Sequence, residues 1–130
     1  MTILRSMFGV VVGVLVGGAL VAAIEASGHS MFPPPPGLDP TDPESIRAYM
    51  EEIPAGALGI VLVAHFVGPL IGAWLAARVA GYRHAVHAAI TAGVFLVFGV
   101  VNLMFIPHPW WFTIADVAIY VGAGWLAGRL

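Results

Sequence analysis

Five polar side chains interrupt or closely flank the long apolar stretches of this sequence, and they are the residues with which it could do chemistry. They are Glu25, His29, His65, Asn102 and Asp116. Ionisable groups at membrane depth are costly to bury, so they are the first place to look for function. Carboxylates near a histidine can bind a proton or a cation, but polar residues can also simply hydrogen-bond neighbouring helices together. The sequence leaves both interpretations open.

Catalytic chemistry has weaker support. Glu25 and His29 are one helical turn apart and could share a metal ion with His65 or Asp116, but a catalytic zinc needs three protein ligands and the third is conjectural. The sequence has no H-E-x-x-H motif, nucleotide fingerprint, phosphate loop or Ser–His–Asp order. It also has no cysteine, which removes thiolate catalysis and iron–sulfur clusters. We therefore predict a non-enzymatic protein without a cofactor. The metal question stays open, with a metal-dependent membrane hydrolase as the weaker alternative.

Composition indicates that these residues lie in a membrane protein. The chain of 130 residues is 60% hydrophobic and 9% charged, whereas a soluble domain carries about 25% charged residues. Its formal net charge is −2, with five arginines and no lysine, so nucleic acid is not expected as a partner. The composition predicts a single membrane domain over residues 1–130, with the lipid bilayer as its first partner.

Four stretches reach the roughly 20 apolar residues that a membrane-spanning helix needs. The first is longer than the roughly 7–15 apolar residues of a signal peptide, so we interpret it as a retained span. The four predicted spans lie at about 7–24, 54–79, 85–106 and 110–126. The predicted fold is therefore an all-α, four-helix transmembrane bundle.

The arginines predict how this bundle is oriented. Four of the five are predicted on one side of the membrane: Arg5, Arg78, Arg83 and Arg129. Only Arg47 falls in the long loop of residues 25–53. By the positive-inside rule the arginine-rich side is cytoplasmic, so both termini are predicted in the cytoplasm and the long loop outside.

Helix geometry predicts the depth of the polar residues. At a rise of about 1.5 Å per residue, His65 lies about 16 Å into its span, near the midplane of a roughly 30 Å hydrocarbon core. Asp116 and Asn102 lie about 9 Å and about 8 Å from the outer side, while Glu25 and His29 lie at the outer end of the first span. The polar residues are therefore predicted to face one another in the outer half of the membrane.

The outer loop of residues 25–53 has its own local signals. The prolines of residues 33–36 predict a stiff polyproline segment. Thr41 to Glu44 resembles a capping box with Thr41 as the cap, which predicts a short helix over about 42–52. The apolar positions of this helix fall on one face: Ile46, Tyr49, Met50 and Ile53. We expect it to lie flat over the bundle as a structural lid, with a docking platform for a partner as the alternative.

Glycines repeat at helical spacing in three of the four spans. Helices in lipid approach one another through such small residues. These predicted packing positions are Gly9, Gly13 and Gly17, then Gly68 and Gly72, then Gly124 and Gly128. One such face is enough to close a bundle. Three predict surplus contacts to other subunits, unless all of them serve the interior of one chain.

Three strings of the sequence carry a resemblance. They are Glu25-x-x-Gly28-His29, the Pro-Pro-Pro-Pro-Gly-Leu-Asp run of residues 33–39, and the Ile-Pro-His-Pro-Trp turn of residues 106–110. In these the chain resembles an uncharacterised family of small four-span bacterial inner-membrane proteins. The resemblance covers most of the chain and implies a multi-pass protein of the bacterial inner membrane. It carries no activity with it.

Two functions remain in view. The glycine faces and the lack of catalytic motifs predict an accessory or self-associating subunit of a membrane assembly, as a homo-oligomer or within a larger complex. The alternative is a small oligomeric transporter or channel for a proton or cation. That alternative depends on the polar residues of the outer half of the membrane: Glu25, His65, Asn102 and Asp116.

Overall fold

The computed structural model describes residues 2–130, and these fold into five α-helices. Four of the helices are long and apolar enough to cross a membrane, and a short fifth helix lies in the connection between the first two of them. The elements are α1 (Thr2–Met31), α2 (Pro43–Glu52), α3 (Ala55–Ala80), α4 (His84–Phe105) and α5 (Trp110–Ala127). The predicted all-α class with four long apolar helices is confirmed. In such helices the backbone polar groups are paired within each segment, as a hydrocarbon environment requires.

Helix α3 lies at the centre of the bundle, since it packs against α1, α4 and α5. Helix α1 lies along α3 and reaches α4 only in part, whereas α4 and α5 pack against each other. Alanines build much of the buried core, among them Ala64, Ala73, Ala76, Ala88 and Ala123. Their small side chains let the helices approach closely. Because α1 follows α3 rather than α4, a groove remains between α1 and α4 on one side of the bundle.

Both chain ends lie at one end of the bundle, which we call the terminal end. Arg5 donates a hydrogen bond to the carbonyl of Val79 at 2.7 Å, and Arg78 donates to the carbonyl of Leu130 at 2.5 Å. The α3–α4 turn also lies here, and Arg83 adopts a left-handed conformation in it, with φ of 44°. The predicted arginine-rich side is thus one end of the bundle. Its assignment to the cytoplasm stays a prediction.

The opposite end, the lid end, carries α2, and here α1 is longer than the predicted span. It continues seven residues past Ile24, so residues 25–31 of the predicted outer loop are helical. The hydroxyls of Ser27 and Ser30 bond backbone carbonyls of the preceding turn, and nothing breaks the helix before Pro33. Glu25 consequently lies about 9 Å below the end of α1 rather than at its margin.

The cap of α2 is Asp42 and not Thr41, which corrects the prediction. The Asp42 carboxylate accepts hydrogen bonds from the backbone N–H groups of Glu44 and Ser45, each at 3.2 Å. Thr41 turns back instead, and its hydroxyl and backbone N–H both donate to Asp39. These two bonds, the hydroxyl's first, lower the pKa of the Asp39 carboxyl because they stabilise its charged form.

The glycine rows of α1 and α3 face each other and form one interface. A Cβ on Gly13 would collide with the carbonyl oxygen of Gly72, and one on Gly17 would lie 2.6 Å from the carbonyl oxygen of Gly68. Gly9 approaches the backbone of α3 in the same way. The backbones of α1 and α3 are therefore in direct contact.

The last two predicted packing glycines close the contact between α4 and α5. A Cβ on Gly124 would lie 2.6 Å from that of Ala92, and one on Gly128 would lie 3.0 Å from the Cα of Ala85. All seven predicted glycines thus pack within one chain.

Candidate functional site

Glu25, His65 and Asp116 come together from α1, α3 and α5 to form what we call the carboxylate–histidine cluster. The Nδ1 atom of His65 lies 2.6 Å from Oδ1 of Asp116, and its Nε2 atom lies 3.2 Å from Oε1 of Glu25. Each imidazole nitrogen is therefore directed at a carboxylate oxygen. Three of the five predicted site residues meet in this cluster.

The two hydrogen bonds set the smallest number of protons that the cluster can hold, because each bond needs one hydrogen. A carboxylate can only accept, so an imidazolium can donate to both Glu25 and Asp116. A neutral imidazole can donate to one of them, and the other carboxyl must then carry a proton. Both arrangements place two protons among the three side chains and leave the cluster with a net charge of −1. A third proton would make it neutral.

Burial differs sharply across the cluster. The side chain of Asp116 is fully buried, that of His65 is 8% exposed, and that of Glu25 is 34% exposed. The second oxygen of Asp116, Oδ2, is buried and has no hydrogen-bond partner among residues 2–130. Buried polar atoms are nearly always paired, so this oxygen is a free position for a proton or another small donor. Glu25 is the accessible member and Asp116 the enclosed one.

Tyr120 holds the imidazole in place, although the sequence did not single it out as a site residue. Its ring stacks on that of His65 with centroids 5.2 Å apart and planes 29° apart. Gly99 on α4 makes room for this ring, since a Cβ there would lie 2.9 Å from Cζ of Tyr120. The available signal was the spacing of four residues between Asp116 and Tyr120, which puts both on one face of α5.

The helices that supply the cluster are staggered, which the depths predicted for the single residues did not include. His65 is ten residues into α3 and Asp116 is six residues into α5, distances of about 15 Å and about 9 Å at the usual helical rise. Since the two side chains touch, α3 must begin about 6 Å beyond α5 at the lid end. The extension of α1 to Met31 brings Glu25 to the same level.

Two cavities reach the cluster. The first, which we call the vestibule, has a volume of about 430 Å³ and lies at the lid end between α2 and the ends of α1, α3 and α4. The second, the lateral groove, has about 320 Å³ and lies between α1 and α4, with His65 and Tyr120 among its lining residues. Glu25 and Asn102 line both cavities. Glu25 therefore stands where the two cavities meet.

The remaining predicted site residues line the vestibule. His29 lies one turn above Glu25 on α1, and Asn102 lies near the end of α4. Neither makes a side-chain hydrogen bond with the cluster. Within residues 2–130 there is no group of three or more His, Asp or Glu arranged to hold a metal ion. The metal set considered from the sequence, Glu25 and His29 with His65 or Asp116, is thus not assembled.

His108 is a further histidine of the vestibule. It lies in the α4–α5 turn, where its ring stacks on Phe112 at 4.6 Å and its Nδ1–H donates to the carbonyl of Ile106 at 2.7 Å. Burial lowers the pKa of His108, because the partly enclosed turn disfavours the charged imidazolium. The ring is therefore neutral at neutral pH and presents its Nε2 lone pair as an acceptor.

The bundle between the cluster and the terminal end is largely apolar. Its buried side chains are mainly the alanines of the core, together with Thr91 and His87. The cluster thus borders one cavity toward the lid end and another toward the side of the bundle, whereas small buried side chains fill the bundle toward the terminal end.

The four long apolar helices define a multi-pass membrane protein. Comparison of the chain with known protein families, with curated proteins and with solved structures gave no match.

Proposed function

We propose that this protein binds a proton at the carboxylate–histidine cluster and carries it through the bacterial inner membrane, as a small oligomeric transporter with both termini in the cytoplasm. One observation carries the proposal: His65 is hydrogen-bonded through both ring nitrogens to two carboxylates, one of them fully buried, inside an apolar bundle. Histidine between two carboxylates is suited to passing a proton from one to the other. The oligomer is proposed because four spans offer little room for a path within one chain.

Charge supports the proposal. With two protons the cluster has a net charge of −1, and a net charge inside the hydrocarbon layer costs several kcal/mol. A third proton removes that cost. The cluster therefore has two states, charged and neutral, that differ by one proton and in how readily they tolerate an apolar surrounding.

The position of the cavities supports a direction for proton movement through the cluster. Protons reach Glu25 from the vestibule, pass to Nε2 of His65, and leave Nδ1 for Asp116, whose Oδ2 is buried and has no hydrogen-bond partner among residues 2–130. Beyond Asp116 the apolar core closes the path, so release at the terminal end requires a change of conformation. Pro69 supplies a weak point for such a change, because it lacks the N–H that would bond the carbonyl of His65 in α3.

The test is proton flux into liposomes that hold the purified protein and a trapped pH-sensitive dye, driven by a potassium diffusion potential. Glu25→Gln and Asp116→Asn keep side-chain shape but remove a proton-binding group, so both are expected to lose most of the flux. Glu44→Gln, on the exposed side of α2, is the matched control and keeps it. Wild-type flux in both cluster variants would end the proposal.

A second candidate is the accessory or self-associating subunit. The observation that favours it is a groove of about 540 Å³ between α4 and α5, lined by small residues that include Ala89 and Gly93. A Cβ on Gly93 would meet nothing within 4 Å, so this face has room for another helix. Native mass spectrometry of gently extracted protein would show a multiple of 13.6 kDa for self-association, or additional masses for a larger complex. Gly93→Leu should fill the groove and reduce self-association or the formation of the larger complex.

A further inference from the structure

The vestibule has the composition of a binding site for a small organic molecule. Its volume of about 430 Å³ falls in the range of roughly 300–1,000 Å³ that is usual for such sites. The lid contributes one apolar face to it, through Ile46, Tyr49 and Met50 of α2, and Phe32 closes the same wall. These are three of the four apolar positions that the sequence placed on one face of α2, and this face borders the vestibule.

The charged residues around the vestibule indicate whether it would bind an anion or a cation. Glu25 is its one acidic side chain among the described residues, and no arginine lines it. Four of the five arginines lie at the terminal end, and Arg47 is an exposed residue of α2 outside the lining. An anion would therefore meet no arginine here, whereas a cation would meet the Glu25 carboxylate. The rings of Phe32 and Tyr49 add faces that attract quaternary ammonium groups.

The walls also decide between an organic and an inorganic cation. A metal ion such as Ca²⁺ needs six or more oxygen ligands, whereas most of the vestibule wall is aliphatic or aromatic. A cation with an apolar body matches both features, because the charge can lie at Glu25 while the body lies under α2. The lateral groove shares Glu25 and Asn102 with the vestibule, so such a molecule also has an opening toward the apolar side of the bundle.

We infer that the vestibule binds an amphiphilic organic monocation against Glu25, and that the cation exchanges there with one proton of the carboxylate–histidine cluster. This inference rests on the proposed function and names its substrate class. The exchange balances: protonated Glu25 and a free cation give the Glu25 carboxylate paired with the cation and one released proton. The net charge of the cluster with its occupant is zero on both sides, so the apolar surroundings tolerate both states equally.

Several other titratable groups surround the exchanging carboxyl. They are His29 on its own helix, Tyr49 on α2, His65 on α3, Asp116 and Tyr120 on α5, and His108 in the α4–α5 turn. His65 contacts Glu25 directly, whereas the neutral His108 acts only from the vestibule wall. The exchange is therefore measured as protons released per cation and not only as a dependence on pH.

The test uses the full chain in lipid nanodiscs and isothermal titration calorimetry with benzyltrimethylammonium. Neopentylbenzene is the neutral probe of the same shape, since a carbon replaces the nitrogen. Titrations in two buffers of different ionisation enthalpy give the number of protons released. The ammonium is expected to bind at least about tenfold more tightly than the neutral probe, a difference of about 1.4 kcal/mol, with close to one proton released.

Three variants sharpen the test. Glu25→Gln is expected to lose the preference for the charged probe and all proton release. Glu51→Gln, the same substitution on an exposed position of α2, keeps both. Ile46→Trp fills the vestibule without touching the cluster and is expected to exclude the ammonium, which keeps the inference testable if Glu25→Gln fails to fold. Equal binding of the two probes, or unchanged ammonium binding in Glu25→Gln, would overturn the inference.

A separate measurement distinguishes this inference from the proposed function. The infrared carbonyl band of a protonated carboxyl, followed against pH without any cation, reports proton binding at the cluster. If that band titrates in the wild type and changes in Asp116→Asn while no cation binds, the proton site stands and the cation site is wrong. If neither the band nor cation binding is seen, both proposals fall.

Discussion

His65 and Asp116 form a hydrogen bond of 2.6 Å that is fully enclosed on the carboxylate side, deep among apolar helices. A buried pair of this kind gains stability only while both partners are present, since either partner alone is an uncompensated polar group. It ties α3 to α5, and through the second nitrogen of His65 it also ties α3 to α1. The cluster is thus a structural junction of three helices as well as a proton site.

Removing the imidazole should therefore be costly. His65→Leu leaves Glu25 and Asp116 without their shared donor, and we expect the free energy of unfolding to fall by about 3–5 kcal/mol. Adding Asp116→Asn should restore part of this loss, because the double variant buries one charge fewer. Tryptophan fluorescence during unfolding in mixed detergent micelles measures both, and strictly additive losses would contradict the coupling.

Gly99 should prove necessary for the orientation of His65. In Gly99→Ala the new methyl group meets the ring of Tyr120, which must turn away from the imidazole that it stacks on. We expect reduced proton flux with a destabilisation of about 1–3 kcal/mol, as overpacking usually costs. Gly93→Ala on the same helix is the control, since a Cβ there meets nothing within 4 Å. The hypothesis fails if the two variants behave alike.

The α1–α3 contact gives a second pair of glycine variants. Gly13→Ala drives a methyl group into the backbone of α3 at Gly72, which cannot move aside as a side chain could, so we expect a loss of about 1–3 kcal/mol or more. Gly18→Ala lies on the same helix with no neighbour within 4 Å and should be neutral or slightly stabilising. Thermal unfolding in detergent compares the two, and an equal midpoint would show that α1 does not pack on α3 in this way.

Substitutions at the start of α2 discriminate between the two caps. Asp42→Ala removes the acceptor for two backbone N–H groups and should destabilise α2 by about 1 kcal/mol. Thr41→Ala removes only an exposed bond to Asp39 and should have the smaller effect. Amide hydrogen exchange over residues 44–50 reports this directly, and faster exchange in Thr41→Ala than in Asp42→Ala would favour the cap that the sequence suggested.

His108 gives a prediction for the pH dependence of stability. Burial lowers the pKa of this group below its ordinary value of 6.5, so the unfolded chain binds its proton more readily than the folded one. Stability should therefore fall as the pH is lowered through about 6.5, and then level off below the folded-state pKa. His108→Gln should remove this part of the slope, as seen in unfolding midpoints between pH 5 and 8. His84→Gln, at an exposed histidine of the terminal end, is the control and should leave the slope in place.

The fold class could be read from the sequence because hydropathy and length alone define the long helices. The end of α1 could not, since hydropathy falls at Glu25 while the helix continues until proline stops it near Pro33. Hydropathy reports where apolar residues end, whereas helix termination depends on backbone chemistry. The cap of α2 was misplaced by one residue for a related reason: Thr41 and Asp42 can both cap, and Asp39 competes for Thr41.

The sequence predicted which residues form the carboxylate–histidine cluster, but not how these residues contact one another. The rarity of ionisable residues in apolar stretches marked Glu25, His65 and Asp116. Their contact depends on the stagger of α1, α3 and α5, which a one-dimensional spacing does not contain. Tyr120 was missed because an inward-facing tyrosine in a span is ordinary, and only its stacking on His65 gives it a role. The vestibule depends on how the proline-rich connection folds back, which the sequence does not specify.

The placement of Asp116 on α5 also bears on how the protein is assembled during synthesis. Among the 18-residue windows that mark the four long helices, the window in α5 has the lowest mean hydropathy, 1.2 against 2.0 to 2.5. α5 follows α1 and α3 along the chain, so insertion in the order of synthesis would place Glu25 and His65 in the membrane before α5. On that order, the imidazole of His65 can bond Asp116 as α5 inserts. Packing against the neighbouring helices then contributes to the insertion of α5, in addition to its own hydrophobicity.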